Sequence, residues 1–396
     1  MTAAGVQKAV LAAGGTGGHM FPAEALAREL RARGVAVALV TDRRGAGFGG
    51  DLGDVETHRI SAGGIAGGSA TKRLGGLLRL GLGFFQAYPL VRRLAPDAVV
   101  GFGAYAAAPT VLAASLLGRR VILHEQNAVV GRANRALTGR ADLIATGFAR
   151  VEGLSAAGLA KTRMTGNPVR PDIQAVGRQA YRAPAAGEAA HVLVVGGSQG
   201  AKVFNDAVPA AVAQLPPALR TRLRIAQQVP GGQIEAVQAA YRECGVDAEL
   251  AGFFDDMPRR LAWAHLVIGR AGASTVAELA SARRPAILVP FPHATDDHQS
   301  ANARALAEAD GGWLIAQSEL SPAALAERIE TLFAHPARLE TAAAHAGALA
   351  PGDAAGRLAD LVCGQANDDG NHDHKDAGKD AGDNGAAPHD PKEAAA

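Results

Sequence analysis

The chain has 396 residues, 48% of them hydrophobic and 20% charged, a length beyond one ordinary core and a composition that describes a soluble globular protein of two domains. Its two cysteines, Cys244 and Cys363, exclude a disulfide framework and fit a reducing cytoplasm. The net charge of +2 hides an asymmetry: residues 1–165 carry 20 Lys and Arg against 10 Asp and Glu, so the first half is built to meet something anionic. Aromatic content of 4% and the lack of a stacking platform exclude nucleic acid, which leaves an anionic membrane surface or a phosphorylated substrate.

The first fifteen residues lack the basic and apolar stretches of a signal peptide. They hold the start of a short strand, KAVLA, that runs into the glycine loop GGTGGH at 14–19 and then the helix PAEALARELRARG. The strand VAVALVTD follows. Residues 71–93 predict a helix that mixes Leu77, Leu78, Leu80, Leu82, Phe84 and Phe85 with Lys72, Arg73, Arg79, Arg92 and Arg93. Such a helix suits a membrane interface, or faces a core with its arginines at the ends. Residues 98–118 carry no charge and have the length of a membrane span. Their alanines and glycines, and Pro109, predict instead a buried strand, a glycine turn and a buried helix. Strands RVILHEQ and DLIATG complete the first half, and MTGNPVRPDI at 164–173 reads as a linker.

The second half repeats the scheme. HVLVVGGSQGAKVFNDAVPAAVAQL is again strand, glycine loop and helix, followed by the strands LRIAQQV, HLVIGRAG and PAILVPF. Short apolar runs separated by helices predict parallel sheets covered on both faces. The fold class is α/β: two doubly wound, Rossmann-like domains, 1–165 and 166–364, with the ligand cleft at the carboxyl ends of their strands. The final helix is expected to pack back on the first domain. Residues 365–396 hold no large apolar side chain and predict a disordered tail.

Both glycine loops open a helix, where free backbone N–H groups and the helix dipole favour phosphate. Neither is a Walker loop, and neither fits the dinucleotide fingerprint; Asp42 stands where a ribose-binding acid would in a dehydrogenase. A third turn, IGRAGASTVAELA at 268–280, offers Ser274, Thr275 and Glu278, a helix start for phosphates with a carboxylate for ribose. The alternative makes Ser274 an N-cap and Glu278 an exposed helix residue. Asp255 and Asp256 read as structural or capping residues rather than a metal pair.

GGTGGH, HEQN at 124–127, GNPVR at 166–170, GGSQGA, FDDM, RAGASTVAE and DHQSANA stand in the order of the MurG family, and the resemblance covers residues 8–360. It implies a GT-B glycosyltransferase that moves N-acetylglucosamine from its UDP donor, with inversion, to the muramyl 4-hydroxyl of undecaprenyl-linked lipid I, without a metal or other cofactor. It also implies a peripheral protein at the cytoplasmic face of the inner membrane. A related GT-B lipid glycosyltransferase or a sugar-nucleotide 2-epimerase is the alternative. By resemblance, Thr16, Gly17 and Gly18 meet the donor sugar with Asn127 and Gln299. Arg170 and Ser198 meet the diphosphate, and Phe254 marks the uracil pocket. Ala273, Ser274, Thr275, Val276, Ala277 and Glu278 form the diphosphate and ribose loop. Tyr105, Asn134, Arg270 and Asn302 belong to the acceptor side or the rest of the cleft, Asn302 sharing a helix face with Gln299. His19 is the first candidate for the base that inverting transfer needs. His124 and Glu125 are the alternative, Glu125 otherwise holding His124, while His19 would bind the acceptor pyrophosphate or cap its helix. Two departures from the family stand out: Gln227 and Gln228 where a histidine often precedes the glutamine, and Ala104 where a second glycine is common.

Overall fold

The computed structural model describes residues 5–14, 17–43, 55–63, 70–197 and 200–365. Thr16, Ser198 and residues 366–396 of the expected tail lie outside them.

In the first half β1 (Lys8–Ala12) leads to α1 (Gly17–Ala32), β2 (Ala36–Thr41) and β3 (Glu56–Arg59). Then come α2 (Ala70–Leu94), β4 (Ala98–Gly101), α3 (Ala104–Leu116), β5 (Arg120–Glu125), α4 (Arg132–Leu137), β6 (Leu143–Thr146), α5 (Ala156–Leu159) and β7 (Thr162–Met164). The strands form one parallel sheet in the order β3-β2-β1-β4-β5-β6-β7. Val10, Leu11, Val99, Val100, Ile122 and Leu123 are wholly buried, as befits strands covered on both faces. The uncharged segment at 98–118 is therefore β4 and α3, a strand and helix of this core.

The second half runs α6 (Pro171–Gly177), β8 (Ala190–Val195), α7 (Val203–Gln214), α8 (Pro217–Arg220), β9 (Leu223–Gln228), α9 (Ile234–Glu243), β10 (Asp247–Ala251), α10 (Met257–Trp263) and β11 (Leu266–Gly269). It continues through α11 (Ala273–Ala282), β12 (Ala286–Leu288), α12 (His298–Glu308), β13 (Gly312–Leu314), α13 (Pro322–Ala334), α14 (Pro336–Leu349) and α15 (Ala354–Cys363). Its sheet is parallel too, in the order β10-β9-β8-β11-β12-β13.

Helix α1 buries Met20, Ala23, Leu26, Ala27 and Leu30, a stripe at helical spacing, and just past its end Arg33 donates to Glu29. The last helix completes the first core. Leu358, Ala359, Leu361 and Val362 of α15 pack with Leu26 and Leu30, while Arg33 binds Asp360 at 2.6 Å. Each large side chain so buried contributes about 1.5–3 kcal/mol. The chain thus crosses between the halves twice, and the crossings touch at Gly166. Its φ of +81° favours glycine, and a methyl there would run into Pro351.

In both sheets the strand order reverses between two neighbours, β1 and β4 in one, β8 and β11 in the other. Loops after these four strands open at the carboxyl edge, where α/β sheets bind ligands.

Candidate active site

A cleft of about 740 Å³ lies between the two carboxyl edges, within the range of small-molecule sites. From the first half it is lined by Gly18, His19, Phe21, Gln126 and Asn127, and from the linker by Arg170. The second half adds Gly196, Gly197, Phe254, Arg270, Ala273, Ser274, Thr275, Glu278 and Gln299. A smaller cavity of about 230 Å³ adjoins it, bounded by Tyr105, Glu125, Arg132 and Asn134 with Asp296 from the second half. His19, Gln126, Asn127 and His298 line both.

The second half supplies the anion-binding end. Helix α11 starts after Gly272 with no side-chain cap, so its first N–H groups are available to a ligand. Ser274 lies inside that helix and is not its N-cap. Glu278 is partly buried; burial raises its carboxyl above the usual range, opposed by Arg170, whose Nη2 donates to Oε1 at 3.2 Å. Arg170 also lies over the ring of Phe21 at 4.8 Å, and its buried Nε has no partner among the described residues. Phe254 is buried beneath the guanidinium of Arg260, which Glu249 and Asp256 hold, so Asp256 serves an ion pair. Gln299 Oε1 accepts from Phe291 N at 2.9 Å, which leaves its amide N–H groups for a ligand.

Several expected ligand contacts are internal instead. Val276 is buried in the core, Ala277 packs against it, and neither lines the cleft. Arg270 is buried and donates to the carbonyls of Val289 and Pro290 and to Gln317 Oε1. Asn302 does not share the ligand face with Gln299. It is wholly buried and clips the halves together: Oδ1 accepts from Ala128 N at 2.8 Å, and Nδ2 donates to Asn127 Oδ1 and the Ala271 carbonyl. Asp42 is buried, its carboxylate beside Gly14, and offers no ribose contact. Gln228 Oε1 accepts from Gly196 N and so braces the glycine loop after β8.

The HEQN segment follows β5. Glu125 is buried, and its two oxygens accept from Asn127 N, Asn127 Nδ2, Gly131 N and Asn134 Nδ2. Four donors use the four lone-pair directions of a carboxylate, so Glu125 shapes the 125–134 loop and has none left for a substrate proton. Nor does it hold His124, whose partners are the Gly166 carbonyl and Gln126. His124 is wholly buried and lines neither cavity, which removes it as a base in contact with substrate. Among the described residues Asn134 Oδ1, buried at the small cavity, has no partner and is an open acceptor.

His19 is different. It sits in the first turn of α1 at the junction of the two cavities, and Nδ1 lies 3.0 Å from Gln126 Oε1. Burial pushes the imidazole below its ordinary range; Glu125, Gln126 and the Phe102 carbonyl act against this. Gln126, Phe21 and His298 are functional neighbours that sequence reasoning does not single out, although Gln126 and His298 stand inside quoted motifs.

Two Rossmann-like sheets that present helix starts and a histidine to a shared cleft define a GT-B glycosyltransferase. Residues 9–146 match the glycosyltransferase family 28 N-terminal domain and residues 191–358 its C-terminal domain. The chain is 55% identical to the UDP-N-acetylglucosamine–N-acetylmuramyl-(pentapeptide) pyrophosphoryl-undecaprenol N-acetylglucosamine transferase of Rhodospirillum rubrum, over 89% of this chain and 90% of that one. It is 55% identical to the Rhodospirillum centenum transferase of the same name over 90% and 94%. The crystal structure of Acinetobacter baumannii MurG superposes with a TM-score of 0.72 at 32% identity, over 90% of this chain and 99% of that one. A Neisseria meningitidis UDP-GlcNAc 2-epimerase bound to UDP-GlcNAc shares the fold alone, with a TM-score of 0.61 at 13% identity, over 88% and 97% of the two chains. The chain belongs to the MurG family.

Proposed function

We propose that the cleft carries out the family's transfer, moving N-acetylglucosamine from UDP to the 4-hydroxyl of the muramyl sugar on pyrophosphoryl-undecaprenol, lipid I, and so making lipid II. The donor diphosphate lies at the start of α11 with Arg170, its ribose against Glu278, its base by Phe254 and its sugar by Asn127 and Gln299. Thr16, Gly17, Gly18 and Ser198 belong to the same reading. The acceptor enters through the small cavity beside Tyr105 and the open acceptor Asn134 Oδ1. His19 Nε2 takes the hydroxyl proton as that oxygen bonds to the anomeric carbon. The bond from that carbon to the β-phosphate oxygen breaks, and its electron pair leaves with UDP. The charge that develops there is met by the N–H groups of α11 and the Arg170 guanidinium.

The observation that carries this reading is the position of His19, which alone among the described titratable groups of the first half's glycine loops lines both cavities. The domains divide at 165/166, and no metal takes part. Among the described residues no group of three or more His, Cys, Asp or Glu is arranged to hold one. The test is transfer of labelled N-acetylglucosamine from UDP to a lipid I analogue in detergent, with and without chelator. Product in both tubes is expected. Stabilisation of the fold by UDP without product would keep the donor and reject the acceptor.

The protein reaches its lipid by lying on the membrane, at the cytoplasmic face. Among the described residues α2 alone is long and apolar enough to cross a bilayer by length and composition. One of its faces packs on the sheet through Ala87 and Val91, while Leu74, Leu77, Leu78, Leu82 and Phe85 stand exposed, Phe85 by 74%. With Arg79, Arg92 and Arg93 on the same helix, this is the make-up of an interfacial anchor.

A further inference from the structure

A chain of hydrogen bonds ends on His19, and the direction of each bond follows from groups that can only accept. The Gly166 carbonyl lies 3.2 Å from His124 Nε2, so that nitrogen carries a proton. Burial holds His124 down to about 4, so the ring is neutral near pH 7 and its Nδ1 is bare. Gln126 Nε2 lies 3.3 Å from that Nδ1 and 2.9 Å from the Phe102 carbonyl. A carbonyl accepts only, so the amide nitrogen stands there and the amide oxygen is left facing His19 Nδ1 at 3.0 Å. The neutral His19 therefore keeps its proton on Nδ1 and presents a bare Nε2.

We infer that Gln126 and His124 are positioning residues that hold His19 in the one neutral tautomer able to accept a proton through Nε2. The inference rests on His19 being the base. It assigns work to a buried histidine and an amide that touch no reacting atom, and it ties both to the linker. Asn167 Nδ2 donates to the Gln126 carbonyl at 2.8 Å, and the carbonyl that orients His124 belongs to Gly166, where the crossings between halves meet. The ionisable groups facing His19 are Glu125 from the end of β5 and His298 from α12, with His124 behind Gln126.

The test is ¹⁵N NMR of the full chain labelled at histidine, which reads the tautomer of each ring, with His19→Gln to assign the signal. The wild-type protein should show His19 protonated on Nδ1 and His124 on Nε2. Gln126→Leu should release the His19 tautomer and lower kcat roughly 10- to 10⁴-fold, the loss a wrongly held imidazole brings, with the donor KM little changed. An Nε2–H tautomer of His19 in the wild type overturns the inference with no need of a folded variant. A lower kcat with the tautomer retained also overturns it, while sparing His19 as base. A released tautomer with unchanged kcat overturns the base reading itself.

Discussion

At Ala104 a small departure from the family has a measurable consequence. This residue opens α3 with a φ of 53°, in the left-handed region that costs a side chain about 1 kcal/mol and glycine almost nothing. Ala104→Gly should raise the unfolding free energy, read from denaturant midpoints, by up to about 1 kcal/mol, a gain offset in part by the looser unfolded chain, and leave Tyr105 lining the small cavity. His19 supports a prediction in pH. A base must be unprotonated to act, and burial lowers the pH at which this one protonates. The acid limb of the kcat profile should then lie below the free-histidine value of about 6.5. The residue types of this site are legible in the sequence, since a histidine closing a glycine loop and a Ser-Thr-Glu helix start announce their chemistry locally. Their assignments are not. Glu125 and His124 look like a catalytic pair in HEQN, and only the folded chain brings Gly131, Asn134 and Gly166 to occupy them.

Among the elements, α2 carries the clearest surface prediction. Replacing Leu78 or Phe85, 67% and 74% exposed, with Glu should leave the thermal midpoint within a few degrees, because neither ring nor leucine is core. Cosedimentation with anionic vesicles should fall several-fold, and wild-type binding should weaken as salt rises. The glycine loops and the strand–helix alternation are plain in the sequence because turn chemistry and apolar periodicity are local signals. The side of α2 that meets the core is less plain. Leucines run almost all round it, and the choice is made by α3 and by a close approach at Gly83, where a methyl would strike the Ser61 carbonyl. Helix α12 makes the same point. Spacing puts Gln299 and Asn302 on one face, but the 127–132 loop lies against part of it, so one amide is free for a ligand and the other is buried.

For the molecule as a whole, the halves are joined by the linker, by α15 and by contacts across the cleft. Arg132 reaches Asp296 with Nε and Nη2, yet it is half exposed, and solvent screens such a pair so that it adds little. The buried Asn302 clip matters more. Asn302→Ala would strand Ala128 N and the Ala271 carbonyl and free the Asn127 amide, at a cost of about 1–3 kcal/mol. It should raise the donor KM, seen in initial rates at fixed acceptor, more than it lowers kcat. Acid is the other global lever. His124 protonates near 4 in the fold and near 6.5 when unfolded, so its contribution is whole above about 6.5 and is lost as pH falls towards 4. Denaturant midpoints should decline across that window, and less steeply in His124→Gln.

The central claim is that His19 removes the acceptor proton. Single-turnover transfer to a lipid I analogue, comparing the wild type with His19→Gln at saturating donor, tests it most directly. The rate constant should fall by roughly 10²- to 10⁴-fold while UDP affinity stays within a few-fold. A variant that transfers within a few-fold of the wild type would contradict it.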